Sequence, residues 1–557
     1  MYSATNYVTK NSIVMNRFIS SFLLVFIAFC FLYFGQPVLN YGFTKLPVFV
    51  LLLLLFGLLL FSRFTINQKN QQVVVTKKPS VLFIYLIALV LVYVTVLPLV
   101  TSLPMFRSAS YRNLIGEVRN GSDLKNHIAP ISLDEIRVVD ERLAMLLGEK
   151  ILGSQPSLGS QAEIGDFTIQ KVNNKLYWVA PLLHTGFLKW FNNSDGTPGY
   201  VMVSATNERD VKLVQEINGK PIKIKYQPNA FFGSDIERHV YFSGNTTVGL
   251  ADFSFEIDDA GNPFWVVSRY TKKVGFGGSD TNGALVVDAQ SGNITQYSIA
   301  ETPLWVDRIQ PIDFIEEQLS DWGEYVQGYW NWSNENKLQT TEGLTLVYGE
   351  NQKSYWYTGL SSVGKEESTV GFALVDTRTK EAFYYKQSGA TEYAAKSSAE
   401  GKVQEKGYRA SLPIPYVINN IPTYVMTLKD DGGLVKMFAM VSIKDYTIVG
   451  VGNTMRETLM AYKNVYNMAD NGLDAKRLTP KKVLNSVVTR ISNDIKNGNS
   501  FYYFMVSGSP SIFVGSSQLS NELPVTKEGD SIKIHFDVDM EQVIDVSVFD
   551  NLSIGKK

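Results

Sequence analysis

The first 110 residues contain no aspartate or glutamate and hold three apolar segments, Phe18 to Phe34, Leu46 to Phe61 and Val81 to Leu103. A membrane's hydrocarbon core takes about 20 apolar residues of helix, because backbone groups in lipid must find their partners internally. The third segment meets that length and carries Pro98, which neighbouring helices tolerate; the first two are shorter and free of charge. A cleaved signal peptide would account for the first segment alone, and no small-residue cleavage site follows it. The expectation is an anchor over 1–110 with three transmembrane helices, at about 18–34, 46–62 and 81–103.

Basic residues set the expected orientation. Lys10, Arg17, Arg63, Lys69, Lys77 and Lys78 fall on one side of the anchor, and Lys45, Arg107, Arg112 and Arg119 on the other. Six against four places the N-terminus in the cytoplasm and the large C-terminal part outside it. Residues 1–110 hold eight of the 52 basic residues, which leaves 44 against 53 acidic ones in the rest of the chain. That excess of acid disfavours nucleic acid as a partner, since a phosphate binder needs a basic face. Cys30 is the only cysteine and lies in an apolar segment, so the chain must hold together by packing without internal disulfides.

Beyond the anchor, one pattern recurs: an aromatic strand, then an apolar strand that in three cases opens on glycine. It reads Tyr177-Trp178-Val179-Ala180 with Gly199 to Val203, then Phe264-Trp265-Val266-Val267 with Gly283 to Asp288. It returns as Tyr355-Trp356-Tyr357 with Gly371 to Asp376, and as Thr423-Tyr424-Val425-Met426 with Val435 to Val441. Turn residues bound these runs, for example Asp259-Ala260-Gly261-Asn262, Gly277-Gly278-Ser279-Asp280 and Gln290-Ser291-Gly292-Asn293. Single helices are expected between them. A capping box at Ser132 and Glu135 opens one through Lys150, and others span Pro311 to Gln327, Ala390 to Val403, and Met455 to Tyr466 after Thr454 and Glu457. The fold class is therefore α+β: tandem modules of antiparallel sheet plus helix, one pair over 130–310 and a second over 311–470. From Thr479 the texture changes to five strand-like runs, Val483 to Ile495, Phe501 to Val506, Ser511 to Ser516, Ser531 to Phe536 and Val543 to Val548. A small five-stranded barrel over 479–557, similar to an OB-fold, buries such strands economically.

The stretch Ala284 to Tyr297 with its partner strand Pro263 to Tyr270 resembles the closing half of a PepSY domain, as does Ala373 to Tyr384. The resemblance implies a helix joined to a small antiparallel sheet, found outside the bacterial membrane and associated with binding or inhibitory roles towards peptidases and envelope partners. It supplies no catalytic residue. Ser204 and Ser442 depart from it, standing where the other two copies have Asp288 and Asp376.

The search for chemistry narrows the function further. His127, His184, His239 and His535 have no metal-ligand spacing, so neither a metal nor a cofactor is expected. Gly359 to Glu366 approaches a phosphate loop but ends in a carboxylate and joins two strands, and Gly275, Gly277 and Gly278 lie in a hairpin. Asp258 and Asp259 read as a turn with Gly261 and Asn262. Sequons begin at Asn192, Asn245, Asn293, Asn331 and Asn551, of use only on a eukaryotic secretory route. Asp313, Glu316 and Glu317 read as helix-start charge and solvated face. The candidate binding groove is Trp305, Asp307, Arg308, Trp322, Trp330 and Trp332, where half the chain's eight tryptophans meet two charges. The expectation is a non-catalytic binding or scaffolding protein of the bacterial or phage-borne cell envelope, its partners the lipid bilayer and other envelope proteins. The competing readings are an envelope enzyme or peptidase regulator with an acid or Ser/Lys pair that spacing does not reveal, and a cytoplasm-facing chain whose barrel binds nucleic acid.

Overall fold

A bundle of three apolar helices opens the chain: α1 (Arg17–Gly35), α2 (Lys45–Phe61) and α3 (Val81–Thr101). The computed structural model describes residues 10–13, 17–61, 63–69, 72–78, 81–469 and 482–554, apart from short breaks at 123, 129–130, 132, 342, 350–352, 364–367, 419, 497–498, 518 and 537–542. Ser132 of the expected capping box lies outside the described residues. The helices run antiparallel. Ser20 donates to the Leu60 carbonyl (3.4 Å) at one end, Phe31 faces Phe49 at the other, and Phe61 stacks on Phe83. α1 and α3 are each long and apolar enough to cross a membrane, while α2 is a shorter apolar helix of 17 residues. Strands 63–69 and 72–78 form the hairpin that joins α2 to α3.

Past α3 the chain enters α4 (Pro104–Arg112), then contributes Val118–Asn120 as a parallel edge strand to a sheet 260 residues further on. Among the described residues the remaining α-helices are α5 (Glu141–Gly153), α6 (Pro156–Gly159), α7 (Phe187–Asn192), α8 (Ile236–Phe242), α9 (Ile312–Glu324), α10 (Glu392–Lys402) and α11 (Met455–Ala469). The expected helix from Ser132 to Lys150 is corrected by α5. Leu133–Glu135 forms a short 3₁₀ turn, and the helix starts at Asp140, whose carboxylate accepts the Leu143 N–H (3.0 Å). Ile136 and Val139 are buried in irregular chain ahead of it, where the Val138 and Val139 N–H groups both donate to Ala205 O. Asp140 won as a cap because its second oxygen is also held, by the Lys429 ammonium.

Four sheets follow, antiparallel apart from the Val118–Asn120 edge strand of the third, built on strands 162–214, 249–297, 338–385 and 409–452. In the second, the reversal falls at Gly275-Phe276, so the long strands are 263–274 and 277–288. The turn expected at Gly277 to Asp280 is instead paired strand, with Lys272 opposite Ser279. Tertiary contact explains the extension. The tip reaches the end of α3, where Ser102 Oγ accepts the Phe276 N–H (2.7 Å), and a Cβ at Gly275 (φ +61°) would lie 2.5 Å from the Thr101 and Ser102 hydroxyls.

Alternate side chains of each strand enter different cores. Tyr177, Val179 and Tyr200 meet Phe255, Trp265 and Leu285 of the second sheet, whereas Trp178, Ala180, Val201 and Val203 share a core with Trp356, Ala373 and Val375 of the third. Tyr357, Phe372 and Leu374 then pack with Tyr424, Met426 and Val441 of the fourth. The cores thus link the sheets in the order second, first, third, fourth, and the middle strands are apolar on both faces. This is why they read as continuous apolar runs without alternation. The core that holds Val139 and Trp178 also holds Ile315 and Trp356, so it is continuous across residues 310 and 311.

One hydrogen-bond pattern is present in all four sheets. Trp178 donates its indole N–H to Val139 O (2.8 Å), Trp265 to Tyr226 O (2.8 Å), and Trp356 to Gln310 O (3.1 Å), while the Tyr424 hydroxyl reaches Ala390 O (3.4 Å). The same four acceptor residues give their own N–H groups to the carbonyls of Ala205, Ala289, Thr377 and Ile443. Each of those carbonyls follows Ser204, Asp288, Asp376 or Ser442. The carboxylates of Asp288 and Asp376 accept the two backbone N–H groups of the next turn, at 2.8 to 2.9 Å, and the Ser442 hydroxyl accepts two at 3.2 and 3.4 Å. Ser204 accepts one, from Thr206 (3.3 Å). Serine therefore performs the aspartate's turn-capping role more weakly.

The last five strands close on themselves: 482–496, 499–506, 512–516, 543–551 and 531–536, which returns to the first. The pair 512–516 with 543–551 is parallel. Phe504, Phe513, Ile532, Ile534 and Phe549 fill the interior.

Candidate functional site

The six residues of the expected groove occupy three different environments. Asp307 is buried at the junction of the first three sheets. One oxygen accepts the Lys171 N–H (2.7 Å) and the Tyr348 hydroxyl (3.1 Å), and its carbonyl accepts the hydroxyls of Ser354 and Thr377. Burial pushes its carboxyl up to about 6 despite these donors. Burial opposes the charge of Arg308, but the neighbouring acids Glu256, Asp252 and Asp307 more than offset it, and its affinity for the proton is raised. Glu256 is fully buried; Ser254 donates to one oxygen (3.0 Å), the other has no hydrogen-bond partner, and burial pushes the carboxyl up to about 8.

Trp305 lies half-buried with its ring 5.1 Å from Phe264, and Trp322 packs beside Tyr384 with the Arg112 guanidinium 6.0 Å from its ring. Trp330 and Trp332 are exposed. The six do not line one groove. Asp307 and Arg308 belong to a largely enclosed cluster of ionisable groups with Glu256.

The other sequence readings fall into place around this. Gly359 lies in strand 354–362 with its N–H donated to Glu392 (2.8 Å), which is incompatible with cradling phosphate. Asp258 accepts the N–H groups of Ala260 and Asn262 in a turn. Among the described residues no group of three or more His, Cys, Asp or Glu is placed to hold a metal. The sequon asparagines Asn245, Asn331 and Asn551 are buried, so the folded chain offers no acceptor there.

Sequence reasoning missed a cleft of about 380 Å³ at the seam between helix bundle and sheets. Phe34, Phe43 and Lys45 form its helical wall, and Glu237, Tyr270 and Lys272 the opposite one. Lys272 donates to Ser279 Oγ (2.7 Å), and burial lowers its affinity for the proton. The signal was present in Lys272 and Lys273 at the end of an apolar strand, but only the docking of the 275–276 tip on α3 shows what they approach. The seam is held by further bonds: Leu39 N–H to Thr246 O (2.7 Å), Tyr241 hydroxyl to Pro37 O (2.7 Å), Asn40 to Thr247 O (3.1 Å), and Arg238 over the Tyr33 ring at 4.6 Å. No protein-family model matches the chain, and no curated protein matches it.

Proposed function

We propose that this chain is a membrane-anchored, non-catalytic binding or scaffolding protein of the bacterial cell envelope, with three spans and a large extracytoplasmic part. The observation that carries the reading is that, among the described residues, the sheets dock at one end of the helix bundle. Their contacts fall on Tyr33 at the end of α1, on Leu39 and Asn40 between α1 and α2, and on Ser102 just after α3. In a three-span anchor those points share one side of the bilayer, and the hairpin of 63–78 with its four cations lies on the other. α2, at 17 residues, meets the lower limit for a span and runs antiparallel between its neighbours.

The four sheets are read as PepSY-like modules, supported by the recurring indole-to-carbonyl bond and the Asp or Ser turn cap. The terminal barrel is read as OB-like, supported by its strand order and its single parallel pair. The displaced acids, Glu256 and Asp307, are enclosed in the core, which favours binding over an envelope enzyme; the seam cleft is the site for a ligand. Photo-crosslinking in intact cells from a benzophenone amino acid at Val248, on the cleft wall, tests it. A discrete adduct with an envelope component is expected, and adducts with cytoplasmic proteins would overturn the reading.

A further inference from the structure

Two clusters of exposed aromatic and aliphatic side chains stand beside the exits of the apolar helices. The first gathers Phe187, Leu188 and Phe191 of α7 with Phe232; Leu188 is 72% and Phe191 66% exposed. It connects to the membrane end of α1 through one residue. Arg238 donates to Phe232 O (2.8 Å) and to Tyr33 O (3.3 Å), with its guanidinium over the Tyr33 ring. The second gathers Tyr329, Trp330 and Trp332, ring beside ring at 5.1 and 5.6 Å, with Trp332 80% exposed. It lies against α4, which begins at Pro104 directly after α3 ends at Thr101. Arg112 donates to Val326 O (3.4 Å), a Cβ on Gly328 would touch Ser108, and Phe106 on the same helix is 61% exposed.

We propose that both clusters insert into the interfacial zone of the leaflet from which the sheets emerge, so that the large domain rests on the bilayer. This rests on the anchor reading above. Water-exposed surfaces seldom gather side chains of this size without a partner. Tryptophan and tyrosine favour the membrane interface, where the ring meets lipid and the N–H or O–H stays wet. Position selects lipid over another occupant: each cluster is reached through a single residue or a single short helix from a helix end that leaves the bilayer. The clusters come from segments more than 90 residues apart, 187–232 and 329–332. Contact at two places beside the anchor restricts the tilt of the sheet stack.

The test uses the full chain in vesicles of equal parts phosphatidylcholine and phosphatidylglycerol, with acyl chains either plain or brominated near the headgroup, and reads tryptophan emission. Brominated lipid is expected to quench the wild type, and the Trp330→Phe/Trp332→Phe variant to lose at least half of that quenching. Trp190, whose ring meets Phe187 and Phe232, leaves that variant a smaller quenchable component through the other cluster, and adding Phe191→Trp should enlarge it. Equal fractional quenching of wild type and double variant would overturn the proposal, as would an added tryptophan quenched by aqueous iodide and untouched by brominated lipid. A second copy or a protein partner over the clusters would give the same negative result. Release of the chain from vesicles by alkaline carbonate defeats the anchor reading itself. A retained chain with unquenched tryptophans defeats only the inference about the clusters.

Discussion

Trp178 donates its indole N–H to the carbonyl of Val139, 39 residues earlier, at 2.8 Å, with both residues buried. The bond ties a strand to the segment that leads into α5, and its equivalents at Trp265 and Trp356 do the same for α8 and α9. Replacing Trp178 with phenylalanine keeps most of the apolar area and strands a buried carbonyl, so each Trp→Phe variant should lose about 1–3 kcal/mol of stability. Tyr424→Phe should cost less, because its bond to Ala390 O is long at 3.4 Å. Urea unfolding in detergent micelles, followed by circular dichroism, orders the four variants. A loss at Tyr424→Phe as large as at the three tryptophans would contradict this ordering.

The turn after each apolar strand depends on a side-chain acceptor. Asp376 takes the N–H groups of Arg378 and Thr379. Asp376→Ser should retain most stability, as Ser442 does the same work natively, while Asp376→Ala should cost about 1 kcal/mol. A midpoint for Asp376→Ser as low as that for Asp376→Ala would show that the carboxylate does more than cap.

The buried charge cluster makes stability depend on pH. Glu256 titrates at about 8 in the folded chain against an ordinary 4.5, because burial outweighs the attraction of Arg308, and Asp307 and Asp252 add to the rise. Across that window the folded state keeps a proton that the unfolded state has lost, so stability falls as pH rises. Asp307, raised to about 6 from 3.8, acts in the same direction over a lower range. Glu256→Gln should therefore gain on the wild type as pH rises, by on the order of a few kcal/mol near pH 8. Thermal melts at pH 5 and pH 8.5 read this directly, and parallel curves for the two proteins would refute it.

Within the barrel, Asn551 is fully buried and donates to Thr526 and Asp530 (2.9 Å each), while its N–H meets Glu522 (2.7 Å). Asn551→Ala strands two acceptors and should cost about 1–3 kcal/mol, read by proteolysis of the 482–554 segment. Unchanged protease resistance would mean that water replaces the amide there.

The apolar helices and the main strands were legible in the sequence because their signal is local: length without charge, and aromatic or β-branched runs between turn residues. Even the tryptophans that anchor the sheets stood out. What was illegible depended on distant partners. The start of α5 was displaced from Ser132 to Asp140 by Ala205, whose carbonyl takes the Val138 and Val139 N–H groups, and by Lys429. The 263–288 hairpin outran its expected turn because its tip meets Ser102, more than 170 residues away. The expected groove dispersed because Asp307 turns inward to Tyr348, while Trp305, two residues earlier in irregular chain, packs on Phe264. The seam cleft joins segments around residues 34–45 and 237–276, and no local pattern marks it.

The central claim is that the sheets and barrel stand outside the membrane on a three-span anchor. Protease shaving of intact cells, with a tag placed after Lys557, tests it most directly. The account predicts loss of the tag while the helices remain in the membrane fraction. Survival of the tag in intact cells, followed by its loss once the membrane is opened, would put the domain in the cytoplasm and contradict the account.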